Sequence, residues 1–497
     1  MSLSPLTRVN FKLLGGWRMN ALIAPGYMAL IVLIAVAVYR NAAPRDHALV
    51  SRSFLTLVAA AQGLFVVFVA TGGIRKAVLR DFQTGMIESH RLTPLSGLQL
   101  VFGYLTGPTS QALLLYGGGL LLGSGFAWMY GKAMGFPGVF VSGWYFSQLC
   151  LLTLALMIWT LSLLIALVTA GKANIVILLV ILGMVGGWMA VAFVPGVTLL
   201  TGVMSGGVLL NMMGVTGIVS QDPAATVWAM VLQVAYAAVF IAAAARKIRA
   251  PDRAVFGIPL GLILVALTGV TLVVGWRLFG AFAWMFGASS THAAQWVAST
   301  FTLLIVAMLA INAAAAHRFR RDRVAALTAQ RVAPFLRLVD LLPVVLAVMA
   351  TVVMLMMLPT EVRDRIRAYG RGVLVPPIVA CAVVLWIDYM LSYLFLVRGW
   401  RMFVGLLIGW LVLRGVPLVI QGALAIAREI LQQGGEMNWH VASYSPVGTL
   451  ILAATDTPGR GGDPWYGLSV QVLTAVIVTI AAYRARRRLA PTRRASG

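Results

Sequence analysis

Twelve stretches, each about twenty residues long and almost free of charge, constrain this chain more than any other feature. They lie near 20–39, 54–73, 101–128, 144–169, 175–196, 224–245, 256–276, 294–316, 341–358, 373–396, 402–427 and 466–485. A hydrocarbon layer about 30 Å thick is crossed by roughly 20 apolar residues in a helix, so the expected fold class is an all-α integral membrane protein of about twelve transmembrane helices. Bulk composition agrees. Hydrophobic residues make up 61% and charged ones 10% of the chain, against about 45–50% and 25% in soluble domains, and the mean hydropathy is +0.93. Residues 131–143 and 197–220, apolar, glycine-rich and short of charge, are candidates for re-entrant or interfacial segments.

A net charge of +24, from 38 Lys and Arg against 14 Asp and Glu, would suit a nucleic-acid binder, but the basic residues sit in alternate loops. With the N-terminus in the cytoplasm, 26 of them fall on the inner side: Arg75, Lys76, Arg80 and Arg91 in one loop, Arg246, Lys247, Arg249 and Arg253 in another, then Arg318 to Arg337 and a run ending at Arg494 among others. This asymmetry follows the positive-inside rule with both termini cytoplasmic. It assigns the basic residues to topology and lipid headgroups, so the expected partner is the lipid bilayer and no nucleic acid. Two outer loops, Arg40 to Arg52 and Arg363 to Arg371, run against the rule. Arginine exceeds lysine and alanine is abundant, a usage typical of GC-rich bacteria, so the expected location is a bacterial inner membrane.

Cys150 and Cys381 fall inside expected spans and read as small apolar core residues, with no disulfide framework or metal site implied. The first apolar stretch lacks a small-residue cleavage site and runs directly into Arg40, so it reads as a retained helix. Before it, Leu6, Val9, Leu13 and Trp17 recur at helical spacing with Arg8 and Lys12 on the other side. That pattern is an amphipathic helix on the cytoplasmic surface; a disordered basic tail is the alternative.

The polar break at 246–255 divides the chain into halves whose ends are alike. Asp222-Pro223, Gln233-Val234, Ala243-Ala244-Ala245-Arg246 and Ala250-Pro251 in the first answer to Asp463-Pro464, Gln471-Val472, Ala481-Ala482-Tyr483-Arg484 and Ala490-Pro491 in the second, with thirteen residues from Gln to Arg in both. The expectation is two six-helix units, 1–250 and 251–497, as in membrane transporters built from parallel repeats.

A helix bundle moves a solute uphill only if free energy enters through a charge in a span, a co-transported ion or a surface gripped by an ATPase. Asp388 is the one acidic residue clearly inside an expected span, so no Asp/Glu/His relay crosses the membrane. The loop 74–100 offers the third route. Two of the 14 acidic residues, Glu88 and Asp81, stand five and twelve positions before Thr93, which Pro94 restricts to extended backbone at a turn. The segment reads as a short rigid lever, with Gly85 allowing close approach of a partner. A solvated face in which Asp81 and Glu88 pair with Arg80 and Arg91 is the plainer reading.

The order of these residues resembles the permease subunits of ABC transporters of the ABC-2 type. An Arg-acidic pair, a Gly before a Glu, Thr-Pro-x-Ser and a Gly in the third helix fall on Arg80-Asp81, Gly85, Glu88, Thr93-Pro94-x-Ser96 and Gly103. Gln99 stands where an acidic residue is common in that family, and Tyr104 where a lysine is common. The resemblance implies that Arg80, Asp81, Gly85, Glu88, Arg91, Thr93, Pro94 and Ser96 belong to a coupling helix docked on a cytoplasmic ABC ATPase subunit. It also implies that the N-terminal amphipathic helix is the elbow helix and that 1–250 is a permease half. This chain would bind no cofactor, ATP and Mg being held by the partner. The second half keeps Arg331-x-x-Pro334 to set against Arg91-x-x-Pro94 and is expected to be degenerate; if it is not a true repeat, a second permease chain joins the list of partners.

No Gly-x-x-x-x-Gly-Lys-Ser/Thr occurs, since Gly131-Lys132 and Gly171-Lys172 lack the upstream glycine and the following hydroxyl, so the chain is not expected to be an enzyme that hydrolyses ATP. Asp388 and Arg414 are the charges well inside spans. Their depths differ by about one helical turn, roughly 5 Å, so a buried pair is expected, either a structural bridge or part of a substrate pathway. His440 with Glu436, Asp456 and Asp463 lacks metal-ligand spacing. The expected function is a transmembrane permease subunit of an ATP-driven exporter. The alternatives are a membrane-embedded transferase acting on lipid or sugar, dependent on outer-loop residues such as Asp46, His47, Glu429 and His440, and a structural subunit of an ABC-like complex.

Overall fold

The structure, a computed structural model, describes residues 16–171, 223–251, 254–278, 292–327, 338–358, 374–398 and 464–487, with a few isolated residues besides. These residues form eleven helices and short 3-10 turns, with no strand among them. In chain order the helices are α1 (Gly16–Asn41), α2 (Pro44–Gln83), α3 (Met86–Leu92), α4 (Gly97–Ala133), α5 (Pro137–Thr169), α6 (Pro223–Arg249), α7 (Ile258–Leu278), α8 (His292–Leu327), α9 (Leu342–Met356), α10 (Val375–Val397) and α11 (Pro464–Arg487). Eight are long and apolar enough to cross a membrane, and Ile258–Val274 of α7 and α9 are shorter apolar helices. The chain is a multi-pass integral membrane protein.

Ten of the expected windows coincide with α1, α2 and α4 to α11. The windows 175–196 and 402–427, the segment 197–220, the loop 428–463 and nearly all of the N-terminal amphipathic stretch lie outside the described residues. Residues 131–143 form no separate re-entrant element. There α4 runs to Ala133 and α5 starts at Pro137, joined by a tight turn in which Phe136 N–H donates to the Gly131 carbonyl at 2.8 Å. Proline at the start of α5 suits a first turn whose N–H has no helical acceptor.

The helix lengths exceed what an apolar window reveals. With 40 residues, α2 reaches about 60 Å at 1.5 Å per residue, roughly twice the hydrocarbon thickness. It therefore has the length to carry Arg80 and Asp81 past the apolar layer. Midway, Leu64–Val69 is a π-helical turn, and such turns leave carbonyls without their usual i−4 partners. One of them, Val66 O, accepts from the buried indole of Trp159 on α5 at 2.6 Å.

Contacts divide the chain into two compact units that change over between Val255 and Phe256. In the first, α6 packs on α5, α5 on α4 and α2, and α4 on α2 and α1. In the second, α11 packs on α10, α10 on α9 and α8, and α9 on α8 and α7. The core of the first unit gathers Ile31, Phe54, Leu55, Val58, Phe126 and Trp144, with the Phe54 and Phe126 rings stacked at 5.3 Å.

Gly123 admits that core. Trp144 is 1% exposed and its indole N–H donates to the Leu120 carbonyl at 3.1 Å, so the ring is held. A Cβ on Gly123 would stand 1.9 Å from its Cζ2. Gly123→Ala is expected to lower stability by about 1–3 kcal/mol through overpacking, read as a lower melting temperature of the purified protein in detergent. Gly125, with nothing within 4 Å of its Cβ position, supplies the control and should tolerate alanine.

Candidate functional site

The connection from α2 to α4 is built by local signals. Thr84 ends α2, its N–H and its hydroxyl both donating to the Arg80 carbonyl at 2.9 Å. Gly85 follows with φ +71°, the left-handed conformation that glycine adopts without steric cost. No atom lies within 4 Å of a Cβ there, so backbone conformation and not close approach asks for glycine in this unit. The chain then turns into α3, seven residues long. Thr93 is extended at φ −69°, ψ 153°, as the residue before a proline must be. Ser96 caps α4 in a reciprocal box: its Oγ accepts from Gln99 N–H at 3.2 Å and Gln99 Oε1 accepts from Ser96 N–H at 2.7 Å. Gln99 thus does what an acidic residue at that position would do.

A seven-residue helix is too short to be stable alone, and α3 is braced from several sides. Ile87 is buried at 2% exposure. Asp81, buried at 4%, accepts from the Tyr104 hydroxyl at 2.6 Å and lies 3.3 Å from His90 Nε2 of α3 and 3.5 Å from Arg80 Nε. Tyr104 therefore serves as an internal anchor between α2 and α4. On the other flank, Arg91 Nε donates to the Ile248 carbonyl of α6 at 2.9 Å, and Arg249 donates back to the carbonyls of Arg91 at 2.7 Å and Thr93 at 3.3 Å. At the end of α2, Arg75 Nε reaches the Gly171 carbonyl just past α5 at 3.1 Å.

What remains outside is a narrow ridge. Glu88 keeps 66% of its side chain exposed, Leu92 is 88% exposed, and Met86, Gly85, Pro94 and Ser96 are exposed too. Glu88 is paired with Arg91 one turn on, the carboxylate open to solvent and the guanidinium 16% exposed; with one partner solvated, such a pair contributes little to stability. The eight residues singled out in the sequence thus separate by place. Asp81, Arg91 and Thr93 are turned into the braces, Arg80 is partly covered, and Gly85, Glu88, Pro94 and Ser96 lie on the exposed side.

In the second unit the structure brings together charges that lie far apart in the sequence. Arg318 and Asp322 of α8, Asp340 in the turn Leu338–Leu341, Tyr389 and Tyr393 of α10 and Arg486 of α11 converge, and the four charged side chains are 9% exposed or less. Arg318 donates to Asp340 Oδ1 at 2.6 Å, which also accepts from the Tyr389 hydroxyl. Asp322 accepts from the Tyr393 hydroxyl at 2.7 Å and faces Arg486 Nε at 3.1 Å and Arg318 Nε at 3.9 Å. The Arg318 guanidinium also lies over the Tyr393 ring, 4.8 Å from its centroid. Two positive and two negative groups are thus enclosed together. Signals for this were present: Arg318/Asp322 and Tyr389/Tyr393 each lie four apart on one helix face, and Arg321-Asp322 repeats Arg80-Asp81.

Asp388 is buried at 4% on α10, while Arg414, His440, Glu436, Asp456 and Asp463 lie outside the described residues. Among the described residues no three His, Cys, Asp or Glu are grouped as metal ligands. Comparisons with protein-family models, curated proteins and solved structures returned no match.

Proposed function

We propose that this chain is the transmembrane permease subunit of an ATP-driven exporter of the ABC-2 type, energised by a separate cytoplasmic ATPase subunit that docks on α3. One observation carries the reading: a short helix that cannot stand alone is held firmly, yet turns Met86, Glu88 and Leu92 outward. A solvated loop has no need of such bracing, whereas a lever must not bend. ATP and Mg reside on the partner, and α3 and both termini face the cytoplasm of a bacterial inner membrane. Closure of the partner would push α3. Asp81 would pass the displacement to α2 and α4, and Arg91 with Arg249 to α6, rocking the helices between inward- and outward-open arrangements.

The two units read as a duplication. Their helices pack in the same succession. Each places an Arg-Asp pair near the end of its second helix and ties that region to the end of its last helix by an arginine, Arg249 in one and Arg486 in the other. The second unit is the degenerate half, its charges turned on one another.

The test is co-purification of the ATPase with the full chain. Glu88→Arg combined with Leu92→Asp alters only exposed groups and should leave yield and melting temperature unchanged. It should weaken docking by at least about 2 kcal/mol, roughly 30-fold in Kd. Transport by the doubly substituted chain at the wild-type rate, or activity of the chain purified alone, would refute the proposal.

A further inference from the structure

We infer that the groove between α1 and α4 is a binding site for one anionic phospholipid. The inference is independent of ATPase docking. The groove offers about 470 Å³ of open-sided space, room for part of an acyl chain with the rest in the bilayer. Val32 and Val36 of α1 form one wall, Leu121 and Met129 of α4 the other, with Gly125 between them and Arg40 at the mouth. The walls are apolar and open outward, Val36 at 45% and Leu121 at 62% exposure, which in a membrane means they face acyl chains. Arg40 lies in the last turn of α1 and makes no ion pair among the described residues. A guanidinium so placed offers a planar pair of donors to a phosphate. A hydrophobic slot ending in an uncompensated cation has the complementary shape and charge of an anionic phospholipid.

The second unit provides the contrast. Its corresponding groove, beside α7 and α9, encloses about 350 Å³ and is lined by residues such as Val270, Val273 and Met356, with no charged side chain in its wall. Chains can lie there, but nothing selects a headgroup.

Native mass spectrometry of the full chain in mild detergent, with phosphatidylglycerol or phosphatidylcholine added, tests this. The wild type should retain one phosphatidylglycerol with a preference of about tenfold over phosphatidylcholine. Arg40→Gln should abolish the preference. Gly125→Leu, at a position with open space around its Cβ, should fill the groove and remove the bound lipid; Val36→Trp should do so from the opposite wall, so that a folding defect in one leaves the other to decide. Val270→Trp, in the second groove, should change nothing. Equal retention of both lipids by the wild type, an unchanged preference in Arg40→Gln, or full retention in whichever groove-filling variant folds would overturn the assignment.

Discussion

Asp322→Asn is expected to cost about 3–5 kcal/mol, the effect of leaving a buried charge without its partner. Arg486, at 9% side-chain exposure, would then lose the carboxylate it faces, and Arg318, at 2%, would keep only that of Asp340, which it already shares with the Tyr389 hydroxyl. Against a native stability of about 5–15 kcal/mol, that loss should be visible as a collapse in the yield of monodisperse protein and in its melting temperature. Adding Arg486→Gln removes one charge of the other sign and should recover much of the deficit, because the cost is one of imbalance. The exposed pair Arg367–Asp364, 75% and 68% accessible, gives the comparison; Arg367→Gln should cost under about 1 kcal/mol. An Asp322→Asn variant as stable as the wild type would mean that the cluster is not enclosed in the folded protein.

This cluster also marks where sequence reasoning ran out. Hydropathy windows locate spans because desolvation is summed residue by residue along the chain, so α1, α4, α5 and α10 were legible. A window of about twenty residues sees only the apolar part of a helix, however, and gives no sign that α2 and α8 continue into charged sequence. From Arg318 to Arg323 the local density of charge reads as a solvated loop. Only the long-range approach of α10 and α11 turns Arg318 and Asp322 inward. The same blindness applied to Asp81: its position beside Arg80 suggested a surface charge, while its defining partner is Tyr104, twenty-three residues on and on another helix. By contrast Thr93-Pro94 and Ser96 act through the backbone within a few residues, and their turn and cap were readable as written.

Asp81→Asn separates holding α3 in place from gripping the proposed partner. Four tethers fix α3: Ile87 in the core, His90 against Asp81, Arg91 on the Ile248 carbonyl, and Arg249 on the carbonyls of Arg91 and Thr93. An asparagine still accepts from Tyr104 but no longer offers charge to His90 or Arg80, a loss of about 1–3 kcal/mol for a buried polar partner. Amide hydrogen exchange across residues 86–92 should therefore quicken by roughly tenfold to a hundredfold, since local opening follows local stability. Glu88→Gln, changed on the exposed ridge, should leave that exchange as it was and act only on docking of the proposed ATPase. If the proposed lever is real, both variants lose transport, but only Asp81→Asn loosens the helix and only Glu88→Gln lowers the intrinsic affinity of a still rigid one. Unchanged exchange in Asp81→Asn would transfer the bracing of α3 to the arginine tethers on α6.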